Sequence, residues 1–366
     1  MGGAGVVTGV MVVVFLAGCA RPLQPAGIGD SPAHHYALGM KLLGTNEPGP
    51  AQEAFDRALA LAPNDAPALE GLGRVALARR DPERAQTLFM KAVSSDAKYV
   101  PAHLGLARAY AMKGEHDGAR REAETARRLD PKNPQVPLVL GEVLLQAFDF
   151  ERAESSFARA LELDPRSLEA RRAWDRSVKI RQAAPGTLVG KRIALADPVK
   201  RGELAALLAT ELGVESYLRK RRPEIFDASF RPPGHSVATV ERPGPSDIAG
   251  HWARNAIELA IRLDLMEAFP DGMFRPDEPV TRAALASMLE QVLAVVANDP
   301  TIKTRHVGQP SPFADVRGDH FAFNAIMVAT TRGLMEAERP SGAFRLTTPV
   351  SGPEALLAMR KLAELF

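Results

Sequence analysis

The residues able to do chemistry are few in this chain, and their spacing limits them further. Of 366 residues one is cysteine, Cys19. An intramolecular disulfide is therefore excluded, and no cysteine-based metal site can form. The eight histidines do not fall at metal-ligand spacing: His34 and His35 stand side by side near the start, and His251 and His320 occupy matching places in two related segments. No nucleophile elbow, Walker loop or glycine-rich dinucleotide fingerprint is present, and Gly2 to Gly5 belong to an N-terminal apolar leader. No cofactor and no metal are implied, and the chain is read as non-enzymatic. Binding chemistry remains. Arg219-Lys220-Arg221-Arg222 is a basic run that suits anionic polymer or lipid headgroups, or equally a solvated helix end. The net charge of +2, from 46 basic and 44 acidic residues, carries no footprint for nucleic acid.

The elements that position these groups begin with Val6 to Leu16, an apolar run of about eleven residues. It is too short to span a bilayer and suits a signal-peptide core. It ends in Leu16-Ala17-Gly18-Cys19, which resembles the lipobox of bacterial lipoproteins, where the thiol receives diacylglycerol before cleavage. The resemblance implies a signal peptide over 1–18, a mature chain beginning at a lipidated Cys19, and a membrane partner held through that anchor. Buried acyl chains contribute about 0.8 kcal/mol per methylene. Ala20 in place of Asp implies the outer membrane, facing the periplasm. No Lys or Arg precedes the run, which leaves the start codon open. Residues 19–31, with Pro and Gly, read as a tether.

The chain then repeats itself every 34 residues. Leu38, Leu72, Leu106 and Leu140 precede Gly39, Gly73, Ala107 and Gly141; Ala51, Ala85, Ala119 and Ala153 follow, then Phe55, Phe89, Ala123 and Phe157, and finally Pro63, Ala97, Pro131 and Pro165. Small residues let paired helices approach, a large apolar residue fills the space between repeats, and Pro ends the second helix. The pattern resembles the tetratricopeptide repeat, and Leu168 to Gln182 reads as its capping helix. Four repeats with the cap are expected over 32–183. The resemblance places Glu70, Arg74, Arg108, Met112, Glu142 and Gln146 along a concave groove for an unidentified protein or peptide partner; the alternative is that they are solvated helix faces.

From Pro245 a different pattern starts. Ser246-Asp247-Ile248 leads through His251-Trp252-Ala253 into an amphipathic helix, then Phe269-Pro270-Asp271-Gly272, Phe274-Arg275-Pro276 and Pro279-Val280-Thr281-Arg282-Ala283. Asp-Gly makes a tight turn and Thr281 stands where an N-cap belongs. This resembles an S-layer homology (SLH) motif. Phe313-Ala314-Asp315, Phe321, Gly342-Ala343-Phe344-Arg345 and Pro349-Val350-Ser351-Gly352 form a weaker copy, and Asp197-Pro198-Val199-Lys200-Arg201-Gly202-Glu203 matches the second half of a third. In the family three motifs pack as a pseudo-trimer with ligand in the grooves between them. Helices beginning at Val199, Val280 and Val350 would supply the central bundle, with the repeat cap standing in for the missing half. The family's Thr-Arg-Ala-Glu element binds cell-wall glycan or peptidoglycan through its guanidinium. Carried over, this marks Arg201, Arg282 and Glu203 for polymer binding, with Asp247, Asp315 and Trp252 shaping the grooves. Ala284 replaces the acid of the full motif and Gly352 the arginine of the last, so wall binding and a purely structural module both stay open.

The resulting expectation is an all-α protein, a tetratricopeptide superhelical solenoid followed by a helical SLH-like module. Its parts are a partial motif and linker over 184–244, an SLH motif over 245–297, a linker over 298–310 and a degenerate motif over 311–366. The function implied is a lipid-anchored envelope scaffold joining outer membrane to wall. The alternative is an accessory assembly or secretion lipoprotein whose SLH-like part only docks onto another protein.

Overall fold

The computed structural model describes residues 30–226 and 244–366. Cys19, the rest of the lipobox and most of the tether lie outside these residues. The described residues are helical without a β-strand, and none of their helices is long and apolar enough to cross a membrane. The chain forms two compact units, Met1–Pro131 and Lys132–Phe366.

The N-terminal unit holds three helical hairpins: α1 (Pro32–Gly44) with α2 (Pro48–Leu61), α3 (Ala66–Ala78) with α4 (Pro82–Ser95), and α5 (Val100–Met112) with α6 (His116–Leu129). Helices α1 to α5 each carry Pro within the first two residues, where its missing N–H costs nothing. Ser31, Asp65 and Asp81 cap three of them by accepting from the N–H groups of His34, Ala68 and Arg84. The two helices of each hairpin are joined through a left-handed residue, Asn46, Arg80 or Gly114. Helices α2, α4 and α6 end two residues before Pro63, Ala97 and Pro131.

Phenylalanine and glycine form the joint between hairpins. Phe55 of α2 and Phe89 of α4 are fully buried. A Cβ added to Gly39 or Gly71 would overlap the Phe55 ring, and one added to Gly73 or Gly105 the Phe89 ring. Each ring thus lies between a glycine of its own hairpin and a glycine of the next.

The C-terminal unit opens with the same hairpin, α7 (Gln135–Gln146) and α8 (Phe150–Leu163), turned at left-handed Phe148, with Phe157 against Gly141. Helix α9 (Leu168–Ala183) follows, and one continuous apolar core then runs from Leu138 to Leu362. The remaining helices are α10 (Leu188–Ile193), α11 (Arg201–Thr210), α12 (Val214–Arg221), α13 (Arg254–Arg262), α14 (Arg282–Ala297), α15 (Phe323–Thr331) and α16 (Gly352–Ala363). Helix α13 packs on α11, α15 on α14, and α9 on α16. The pairing is cyclic. Helix α9 covers α8 on one side and takes, on the other, the place that α13 and α15 hold in their motifs; Arg360 of α16 donates to its Gln182 carbonyl at 3.1 Å.

Candidate functional site

Three valines mark the pseudo-threefold axis. Val280 N–H donates to Val199 O, Val350 N–H to Val280 O, and Val199 N–H to Val350 O, each at 2.8 Å. All three side chains are buried. Two residues on, Arg201 N–H donates to Glu278 O, Arg282 N–H to Thr348 O and Gly352 N–H to Ala196 O. The backbone ring therefore fixes the first turns of α11, α14 and α16 at equivalent places, each beside the loop of the next motif.

Those loops are held from within. Asp247 accepts from Phe274 N–H at 2.9 Å and Arg275 N–H at 2.6 Å; Asp315 does the same for Phe344 and Arg345 at 2.7 and 2.6 Å. Arg275 and Arg345 are both left-handed, at φ 55° and 59°, so each carboxylate secures a turn that a non-glycine residue resists. His251 and His320 each accept from the N–H two residues on through Nδ1, which sets the entry into α13 and α15.

Arg201 and Arg282 extend from the ring into these turns. Arg201 Nε donates to Phe274 O at 2.9 Å and Nη2 to Glu267 O at 3.0 Å, and its guanidinium lies over the Phe269 and Phe274 rings. Arg282 repeats this with Phe344 O at 2.7 Å, Glu336 O at 2.6 Å and the Phe344 ring, and Nη1 pairs with Glu354. Burial lowers both guanidinium pKa values from the ordinary one, and both groups stay charged. Two arginines marked for polymer contact thus use two of their three nitrogens to close the next motif's turn. The third helix has no such arginine for a steric reason: a Cβ on Gly352 would overlap the carbonyl of Ile193.

The third residue of each helix, where the motif places its acid, differs as well. Glu203 accepts from Lys200 N–H at 2.9 Å and caps α11, Glu354 holds Arg282, and position 284 is alanine. A cavity of about 460 Å³ opens beside Ala284, between α11 and α14. Arg201, Leu204, Met266, Phe269, Ala284 and Met288 line it, and Glu290 and Lys303 also face it. Burial raises the Glu290 carboxyl above the usual carboxylate range against a hydrogen bond from Asn324. Among the described residues Arg201 has no ion-pair partner.

The remaining marked residues lie elsewhere. Trp252, 62% exposed, is not among the cavity's lining residues, and Phe321 in the second copy is 89% exposed. In the N-terminal unit, Glu70 corrects an expectation: it is 0% exposed, not a groove surface. It pairs with Arg74 and accepts from the Tyr36 hydroxyl at 3.4 Å, and burial raises its carboxyl pKa against the pull of Arg74. Arg74 and Arg108 are half-buried and Met112 is exposed. Glu142, half-buried, and Gln146, exposed, belong to α7 of the C-terminal unit. No group of three or more His, Cys, Asp or Glu among the described residues could hold a metal.

The sequence reading missed the pairing of Glu354 with Arg282. The signal was there, since Ser351-Gly352-Pro353-Glu354 keeps the acid three places along, as Lys200-Arg201-Gly202-Glu203 does.

Comparison with known proteins gives the two architectures names. Family models match an S-layer homology domain over residues 246–286 and tetratricopeptide repeats over 36–97, 76–141 and 138–167. The chain carries tetratricopeptide repeats and an S-layer homology domain. Cell surface glycoprotein 1 of Acetivibrio thermocellus is 29% identical over 167 residues, 45% of this chain and 6% of that protein. Among solved structures, a thermophilic TPR protein of Thermus thermophilus is 25% identical, covering 40% of this chain and 81% of its own, at TM-score 0.37. The pilF protein of Pseudomonas aeruginosa is 20% identical over 52% of this chain and 92% of its own, at TM-score 0.36. Tetratricopeptide repeats point to protein–protein interaction and the SLH domain to attachment at the cell surface. Neither fold is typically catalytic.

Proposed function

We propose that this protein is a lipid-anchored scaffold of the cell envelope. Cys19 carries its acyl chains into the outer membrane, the SLH module holds a cell-wall glycan or peptidoglycan, and the tetratricopeptide repeats recruit a protein partner. The observation that carries the wall contact is the α11–α14 cavity. It is a groove between motifs where Leu204, Met266, Phe269 and Met288 adjoin charged side chains and where the Arg201 guanidinium has no carboxylate partner among the described residues, and such a group takes an anionic substituent of a polymer. Two attachments on one chain raise the effective concentration of each, so a weak wall contact suffices.

The test is co-sedimentation of the Cys19→Ser chain with purified sacculi, comparing Arg201 with Arg201→Lys, which keeps the charge and removes the planar fork. Binding that the substitution weakens at least tenfold, with unchanged circular dichroism, supports the reading. Equal sedimentation of both, or none of either, refutes it. Metabolic labelling with palmitate, lost in Cys19→Ser, checks the anchor. The alternative, an accessory assembly or secretion lipoprotein, is favoured by the two guanidinium nitrogens already committed to backbone carbonyls, which suit a module that only docks.

A further inference from the structure

Around the pseudo-threefold ring, the arginine that opens one helix stands next to the third residue of the following helix. Two of these three junctions keep the arginine, and they differ in one respect. At the first, Arg201 of α11 and Ala284 of α14 line the same cavity. At the second, Arg282 of α14 pairs with Glu354 of α16, and the Arg282 side chain is only 14% exposed. The third junction offers Gly352 and has no guanidinium.

All three nitrogens of Arg282 are therefore committed: Nε to Phe344 O, Nη2 to Glu336 O and Nη1 to the Glu354 carboxylate. Arg201 copies the first two contacts on Phe274 O and Glu267 O. Its Nη1, the nitrogen equivalent to the one Glu354 holds, has no partner among the described residues. We propose that Glu354 is an internal carboxylate ligand that keeps the Arg282 junction filled, while Ala284 leaves the equivalent place at Arg201 open to one carboxylate of an external ligand. The inference rests on the reading of the α11–α14 cavity as a ligand site, and makes the chain monovalent there.

The surroundings select carboxylate over phosphate. Only one guanidinium nitrogen is available, so neither anion is clamped at two points and the charge of the surroundings decides between them. Glu267, Glu278 and Glu290 line the cavity against Arg201 and Lys303, and that surplus of negative charge opposes a dianion more than a monoanion. Phe269, Leu204 and Met266 suit an apolar body next to the carboxylate.

The test uses the full chain with ¹⁵N-labelled arginine, following the Nε signals of Arg201 and Arg282 during titration with sodium acetate at constant ionic strength. Arg201→Lys and Arg282→Lys identify the two signals. In the wild type, acetate should shift Arg201 and leave Arg282 still. Glu354→Ala should make both respond, and Ala284→Glu should silence Arg201. A response of Arg282 in the wild type, or an Arg201 response that survives Ala284→Glu, overturns the assignment. A larger Arg201 shift with phosphate than with acetate overturns the choice of carboxylate. Sacculus co-sedimentation of the same variants reports on the wall separately: the acetate pattern without sacculus binding upholds the filled and open junctions and removes the wall reading alone.

Discussion

Replacing Arg201 with alanine should unfold the SLH module more readily, whatever it does to binding. The side chain donates to Phe274 O, which is partly buried, and to Glu267 O at the surface, and it lies on two aromatic rings. A hydrogen bond from a charged group contributes about 1.5–3 kcal/mol, and water can replace the arginine at the exposed Glu267 carbonyl but poorly at Phe274. Stacking adds about 0.5–1 kcal/mol at exposed sites. Arg201→Ala should therefore cost roughly 3–4 kcal/mol. Arg282→Ala should cost more, roughly 4–6 kcal/mol, because it also strands the Glu354 carboxylate. Adding Glu354→Ala to Arg282→Ala should return part of that loss, a coupling that a double-mutant cycle isolates. Urea unfolding followed by tryptophan fluorescence reads this directly, since Trp174 and Trp252, the chain's two tryptophans, both lie in the C-terminal unit. At a slope of about 2–3 kcal/mol per molar urea, the Arg201→Ala midpoint should fall by about 1–2 M. A fall below about 0.2 M, or equal falls for both arginines, would refute the turn-holding role. The same arithmetic makes Arg→Ala a poor binding test and the lysine or Ala284 variants better ones.

Gly105→Ala should destabilise the N-terminal unit by about 1–3 kcal/mol, because the added methyl overlaps the buried Phe89 ring; thermal unfolding of Gly105→Ala beside Phe89→Leu/Gly105→Ala should show partial rescue in the second. A fragment of residues 184–366 lacks α9 and leaves α16 without its partner, so it should give non-cooperative unfolding and rapid proteolysis, whereas 132–366 should fold; equal cooperativity of the two would show that α9 is dispensable. His103 is buried with Nδ1 2.7 Å from Glu122, and that hydrogen bond raises its pKa above 6.5. A raised histidine pKa gives stability that is complete below the unfolded value and is lost as pH rises through the folded one. Hydrogen-exchange protection in α5 and α6 should therefore fall as pH rises above about 6.5, and His103→Gln should remove that fall.

What the sequence disclosed, and what it hid, divides along whether a residue's job is local. Proline acts on its own backbone, so the ends of α2, α6 and α8 could be read from Pro63, Pro131 and Pro165. The phenylalanine–glycine joint could be read because shape complementarity forces paired changes in size at a fixed period. Val199, Val280 and Val350 stood out by motif register, and the structure joins them in a single ring. The hold of Arg201 and Arg282 on the turns of Phe274 and Phe344 could not be read, because the acceptors there are carbonyls, and a carbonyl has no letter in the sequence. Glu70 was misplaced although the register held the answer: the same repeat position carries Tyr36, Leu104 and Leu138, and both leucines are buried. A carboxylate in that row belongs to the interior and needs a cation, which Arg74 supplies one turn later.

Gly352 and Ala284 are the more instructive pair, since both look like losses of the same motif. Gly352 is a true loss, because the Ile193 carbonyl fills the space where an arginine would begin. Ala284 is a gain of space, because a carboxylate there would meet Arg201 as Glu354 meets Arg282. Motif identity scores the two alike. Only the cyclic order of the helices, which sets each arginine against the third residue of its neighbour, tells a closed junction from an open one.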